Sequence, residues 1–262
     1  MDLGIRGRKA IVNGGSAGMG RAAALALARE GVELVISARG EARLRAAAED
    51  IAAATGVRVE AVVADHSRPE GFEKILAACP APDILVATCS PPPMTPDYRA
   101  IDAAQWQVSL DTGLMGPVNF MHAVLEGMVD RGWGRIVNIA TIAAKYPLEL
   151  RILSGAPRAA LINYAGAVAL RVAKNGVTIN NVLPGMFHTD FTREQFGARA
   201  AAAGTSYEEE VARFAQDYRI AAGRFGDARD VGSLVAWLCS ESAGYITGQS
   251  IVMDGGATRS TF

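Results

Sequence analysis

Two kinds of segment alternate along the chain. Short, nearly continuous apolar runs, rich in β-branched residues, lie near 8–13, 32–37, 57–63, 83–88, 134–139, 176–182 and 250–253 and predict strands. Longer alanine-rich stretches near 18–30, 41–55, 70–78, 101–130, 154–174, 207–221 and 228–240 predict helices. The strand runs do not alternate apolar with polar, as expected when helices cover both faces of a sheet. Regular strand–helix alternation implies right-handed crossovers and parallel strands. The expectation is an α/β, doubly wound, mostly seven-stranded parallel sheet in three αβα layers. No linker or shift of composition divides residues 1–262, which read as one domain.

In an open parallel sheet, ligands sit beyond the carboxyl ends of the strands. The loop after the first strand reads Asn13-Gly14-Gly15-Ser16-Ala17-Gly18-Met19-Gly20 and runs straight into a helix. Glycines there let the backbone approach a phosphate, and the helix start offers unpaired N–H groups and a positive dipole end. Gly14, Ser16, Ala17, Gly18, Met19 and Gly20 are therefore candidate phosphate contacts, and the fold becomes Rossmann-type. After the second strand stands Arg39, where an acidic residue would favour NAD; a guanidinium suits a 2′-phosphate. NADP(H) is the preferred cofactor, with NAD(H) also possible, unless Arg39 is only a solvated charge. Asp65, next to His66 after the third strand, would accept from an adenine amino group or cap the following helix. Ala87 and Thr88 end the fourth strand. Pro184, Gly185, Phe187 and Thr189 lie in the turn after the sixth, placed to close over a nicotinamide.

Composition narrows the setting. Half of the 262 residues are apolar and the formal net charge is −1, so no basic footprint for nucleic acid or anionic membrane appears. The three cysteines form no CxxC pair and no signal-type segment opens the chain, which suggests a cytoplasmic protein. No run is long enough to span a membrane, and three scattered histidines suggest no metal.

Taken together, Gly14-x-x-x-Gly18-x-Gly20, Asp65, Pro184-Gly185-x-x-x-Thr189, Arg224-Phe225-Gly226, Tyr245-Ile246-Thr247-Gly248-Gln249 and Asp254-Gly255-Gly256 resemble the short-chain dehydrogenase/reductase family over essentially the whole chain. The resemblance implies an active site of Asn, Ser, Tyr and Lys, the last two as Tyr-x-x-x-Lys on one helix. Aligned without gaps on Pro184-Gly185, this chain has Gly113, Thr141, Ser154 and Arg158 at those positions. Thr141 keeps a hydroxyl and Arg158 a positive charge, which the resemblance also places near the nicotinamide ribose. The acid is gone. A tyrosine starts near pKa ~10, whereas an aliphatic hydroxyl starts near ~15.7. Lowering Ser154 to neutrality takes roughly 9 units, about 12 kcal/mol, beyond one arginine. Ser154 then orients a substrate or caps its helix, and Tyr146, in the loop before that helix, is the candidate surrogate acid, with His188 second.

The stretch 190–222 reads as a substrate lid or as amphipathic packing. Apolar walls suggest a small, mostly apolar substrate, with Arg151 or Lys145 holding an acidic group. Small residues along 154–174 suggest a homo-oligomer, dimer or tetramer. The leading expectation is an NADP-preferring oxidoreductase acting on a carbonyl or alcohol. The alternatives are a redox-silent nucleotide-binding sensor or partner subunit, and a non-redox lyase or isomerase.

Overall fold

The computed structural model describes residues 1–259. Its main sheet contains β1 (Lys9–Asn13), β2 (Glu33–Ala38), β3 (Val59–Val63), β4 (Ile84–Ala87), β5 (Gly134–Ile139) and β6 (Val177–Pro184). Two short strands, β7 (Phe187–His188) and β8 (Gly226–Asp227), pair with each other, and β9 (Ser250–Met253) completes the main sheet. The order β3-β2-β1-β4-β5-β6-β9 is parallel throughout, the Rossmann-type α/β arrangement expected.

Successive strand residues serve opposite faces. Val12, Ile36 and Val86 face a layer that includes α1 (Gly18–Arg29), α2 (Glu41–Thr55) and, later in the chain, α9 (Ala228–Leu238). Ile11, Leu85 and Ile136 face α3 (Pro69–Ala78), α5 (Gly116–Asp130) and α6 (Ile152–Val172). Each such aliphatic side chain contributes about 1.5–3 kcal/mol when fully removed from water. The chain reverses direction of winding between β1 and β4, which opens the crevice at their carboxyl ends.

The stretch expected as one helix over 101–130 is instead α4 (Ala103–Leu110), a π-helical segment Asp111–Met115, and α5. Pro117 has no N–H for the Gly113 carbonyl, and the helix widens there instead of breaking. In α6, Pro157 likewise leaves the Leu153 carbonyl free, and the Ser109 hydroxyl of α4 donates to it. That contact ties α4 to the start of α6.

A second helix, α7 (Asp190–Ala203), precedes α8 (Tyr207–Asp217), where the sequence pattern showed only the latter, and α8 ends before 221. The missed helix buries just Thr192, Phe196 and Ala200, too little apolar periodicity to read. Phe196, Val211, Ala215, Ile220 and Phe225 form a cluster of their own, closed off by the β7–β8 pair. The 190–222 stretch is thus packed rather than irregular. No helix of the described residues is long and apolar enough to cross a membrane.

Candidate active site

The glycine turn after β1 is a close-packed cradle. Gly14 and Gly18 have φ of 74° and 53°, which side chains rarely adopt. A Cβ on Gly20 would lie 2.3 Å from the Gly14 carbonyl oxygen. Ala17 gives α1 no side-chain cap and no acid stands in its first turn, so the N–H groups there are open to an anion. Asn13 holds the cradle: its Nδ2 donates to the Thr88 carbonyl at 2.7 Å and its Oδ1 accepts from the Ser37 hydroxyl at 3.1 Å. One side chain thereby joins the ends of β1, β2 and β4. Asn13 opens the loop that the sequence singles out, but its partners, 75 and 24 residues away, leave no local signal.

At the outer end, Arg39 is exposed and makes no ion pair among the described residues, while its charge is felt by both Asp65 and His66. Asp65 does not cap α3, whose N-cap position is Arg68. It accepts instead from the Ser67 N–H at 3.0 Å and hydroxyl at 2.7 Å. Burial pushes this carboxyl up, but those hydrogen bonds and the neighbouring cations outweigh it and hold the carboxyl below its ordinary value. Burial lowers His66, whose ring turns toward Gly116 and, at 3.5 Å, the Thr112 carbonyl. At the inner end, the Gly185 N–H donates to the Met253 carbonyl at 2.8 Å, seating Pro184-Gly185 beside Asp254. The Thr189 methyl approaches Gly18, although its hydroxyl also caps α7. Thr88 and Thr189 are thereby brought to the glycine turn and Pro184-Gly185 to Asp254, whereas Ala87 is buried at the end of β4 and the Phe187 ring packs against Gly226.

Across the crevice, Ser154 and Arg158 stand one helical turn apart in α6, both buried. Ser154 lies inside the helix, which starts at Ile152, so it is not the N-cap; Arg151 holds that position without capping. Arg158 Nη1 donates to the Ser154 carbonyl at 3.1 Å and to its hydroxyl at 3.4 Å, and Nη2 donates to Cys89 Sγ at 2.7 Å. Gly113 makes room for this: a Cβ there would lie 3.4 Å from Arg158 Nη1. The π-helical segment thus delivers its glycine against the guanidinium. Cys89 was not singled out from the sequence, and a contact spanning 69 residues leaves no local signal.

Thr141 opens a 3₁₀ turn, Ile142–Ala144, and its hydroxyl accepts from the Ala143 N–H at 3.3 Å. Gly155 presses on the same turn, where a Cβ would lie 2.7 Å from the Ala143 carbonyl oxygen. That contact sets the start of α6, which carries Ser154, against the turn that Thr141 opens. Each hydroxyl already accepts one hydrogen bond, which leaves its own proton to be donated. Tyr146 follows on the same turn, its N–H bonded to the Ile142 carbonyl at 2.9 Å, half-buried, with Lys145 Nζ 5.5 Å from its ring. No hydrogen bond links its hydroxyl to Thr141, Ser154 or Arg158. His188 faces elsewhere: its Nδ1 lies 2.7 Å from the Tyr207 hydroxyl and it lines a depression of about 380 Å³ with Arg193 and Arg224.

The profile described as Enoyl-(Acyl carrier protein) reductase matches residues 14–258. The chain belongs to the short-chain dehydrogenase/reductase family. Its relatives include the 3-oxoacyl-(acyl-carrier-protein) reductase of Aquifex aeolicus, 30% identical over 98% of this chain and 99% of that one. L-sorbose reductase from Gluconobacter frateurii, solved with NADPH and L-sorbose, has a TM-score of 0.94 at 28% identity, covering 99% of this chain and 100% of that one. An NADPH-bound short-chain oxidoreductase of Pseudomonas aeruginosa PAO1, described as containing an atypical catalytic center, has a TM-score of 0.86 at 25% identity over 97% and 98% of the two chains. This chain is therefore a short-chain-type oxidoreductase.

Proposed function

We propose that this protein is an NADP-preferring reductase, or dehydrogenase in the reverse direction, acting on a small, mostly apolar carbonyl or alcohol. The observation that carries the reading is the pairing of an open, uncapped glycine cradle with two proton-donating hydroxyls across one crevice. The relatives that bind NADPH support the cofactor, and Arg39, exposed and without an ion pair among the described residues, is the residue to hold a 2′-phosphate.

The residues present fit a dinucleotide. The N–H groups from Ser16 to Gly20 would hold the pyrophosphate, with Asp65 and His66 at the adenine. Ala87 and Thr88 would form the adjoining wall. Pro184, Gly185, Phe187 and Thr189 would take the nicotinamide and Arg158 its ribose. The bound nicotinamide supplies or accepts the hydride.

Thr141, Ser154 and Arg158 occupy the positions of the family's Ser, Tyr and Lys, and Gly113 that of its Asn. Thr141 and Ser154 donate to the substrate oxygen, polarising the carbonyl and stabilising negative charge as it develops. Arg158 holds Ser154 in that orientation and adds a fixed positive charge. It cannot itself release a proton near neutrality. Tyr146 delivers the proton to the oxygen. Apo hydrogen bonds of such groups are often loose, so its present lack of a partner does not remove it. The α7–α8 pair forms the lid.

Titration of protein fluorescence with NADPH and NADH, followed by a screen of ketones and alcohols at the nicotinamide absorbance band, tests the reading. Micromolar NADPH binding with turnover supports it. Binding without turnover selects the redox-silent alternative, and no binding below millimolar removes every cofactor role above. The exposed Val108, Met115 and Leu170, with the small exposed Ala160 and Ala167, make α4–α6 the proposed oligomer face. Sedimentation as a monomer at micromolar concentration contradicts that part.

A further inference from the structure

Arg151 is partly buried and carries a charge with no ion-pair partner among the described residues. Its Nη1 is shut off from solvent and has no hydrogen-bond partner. Neither Arg151 nor Arg158 forms an ion pair among the described residues; the ion pairs present lie elsewhere, such as Arg8–Asp83 and Arg229–Asp227. Glu149, exposed two residues away, is not its partner either. Burial, and after it the charge of Arg158, pull the Arg151 guanidinium below its ordinary value, so the two cations share one neighbourhood. An unpaired, partly buried cation costs stability, and a charged group perturbed in this way marks a candidate ligand site.

A second orphan lies beside it. Thr95 is 8% exposed and its hydroxyl has no partner. The Thr95 N–H donates to the Leu150 carbonyl at 3.1 Å, so the residue is bonded to the neighbour of Arg151. On the lid side, Gln195 reaches Met94 at 3.8 Å and leaves its own amide oxygen unpartnered. Three segments, the 94–95 loop, the turn before α6, and α7, thus each leave an unsatisfied polar group, and the Thr95–Leu150 and Gln195–Met94 contacts join them in turn. The first contact lies just before the N-terminal end of the helix that carries Ser154 and Arg158. Lys145, by contrast, is exposed over the Tyr146 ring.

We propose that this end of the crevice holds the carboxylate of an anionic carbonyl substrate, with the Arg151 guanidinium and the Thr95 hydroxyl as donors. The substrate class is then an oxo or hydroxy carboxylic acid rather than a neutral ketone or sugar. Leu148, Leu150 and Tyr218, all partly exposed nearby in the chain or within the field of Arg151, suit an apolar remainder. The proposal rests on the reductase reading above.

Isothermal titration of the protein saturated with NADP⁺, using hexanoate and its neutral isostere hexanamide, tests it. Hexanoate should bind at least about tenfold more tightly, the range of one charge-assisted hydrogen bond. Arg151→Gln should abolish the preference, Thr95→Val should reduce it, and Arg151→Lys should retain part of it. Equal binding of the two probes by the wild type, no hexanoate binding at all, or a preference that survives in Arg151→Gln overturns the proposal. The NADP⁺ saturation step separates the two failures. A protein that takes no NADP⁺ fails the reductase reading, whereas one that takes NADP⁺ and ignores the carboxylate fails only this inference.

Discussion

The two sides of the crevice are built from different materials. The cofactor side is largely backbone: glycines at 14, 18 and 20, an uncapped helix start, and a Pro-Gly turn. Its main side-chain device, Asn13, points inward to hold loops together. The proposed substrate side is largely side chain: the buried guanidinium of Arg158 and the partly buried one of Arg151, two hydroxyls, a thiol and a phenol, drawn from loops and helices far apart in sequence. Backbone recognition demands particular residues at fixed spacing, because a Cβ on Gly20 would collide with the Gly14 carbonyl whatever the ligand. Side-chain recognition has no such constraint. A chain of this kind can change its acid or its charge partner and keep its cofactor turn, and we propose that Ser154 and Arg158 are where this one has done so.

That contrast can be broken in stages. The largest effect is expected from Tyr146→Phe. If the phenol supplies the proton, kcat for carbonyl reduction falls about 10²–10⁴-fold, the range for a lost general acid, with NADPH affinity unchanged. Unchanged turnover would assign the proton to water. Next, Arg39→Ala should weaken NADPH about tenfold or more, the loss of a charge-assisted contact, and leave NADH nearly as it was. Equal losses for both would make Arg39 a solvated charge and sever the cofactor side from its proposed selectivity. The smallest effect concerns stability. Two histidines are lowered by burial, His66 beside Asp65 in the crevice and His188 against Tyr207 outside it. A histidine lowered in the folded state stabilises fully above its unfolded value of 6.5, and that contribution fades as pH falls through the folded value. Unfolding free energy followed from pH 7.5 downward should therefore decline below about 6.5. His66→Gln and His188→Gln should each flatten part of that decline, and together most of it.

How much could be read beforehand follows the same division. The seven parallel strands were legible because their apolar runs are continuous and regularly spaced. The glycine turn was legible because its need is local. The break at 111–115 was not, since Pro117 acts through a carbonyl whose alternative geometry depends on packing against Pro157 and Arg158. The helix α7 was hidden by its thin apolar stripe. Asp65 and Ser154 were each given helix-capping as an alternative, which the helices' true starts at Pro69 and Ile152 remove. Cys89 beside Arg158 and Thr95 beside Leu150 depend on loops whose course no spacing rule supplies.

The account's central claim is that Ser154 works on the substrate oxygen and not on the cofactor. Ser154→Ala, followed in one preparation by NADPH titration and by single-turnover oxidation of bound NADPH on adding the ketone found in the screen, measures both sides of the crevice at once. The account predicts an unchanged NADPH dissociation constant and a hydride-transfer rate lower by about 10²-fold or more, as for the loss of one donor to a developing oxyanion. A rate that stays within about twofold of wild type, or a fall explained wholly by lost NADPH affinity, would contradict it.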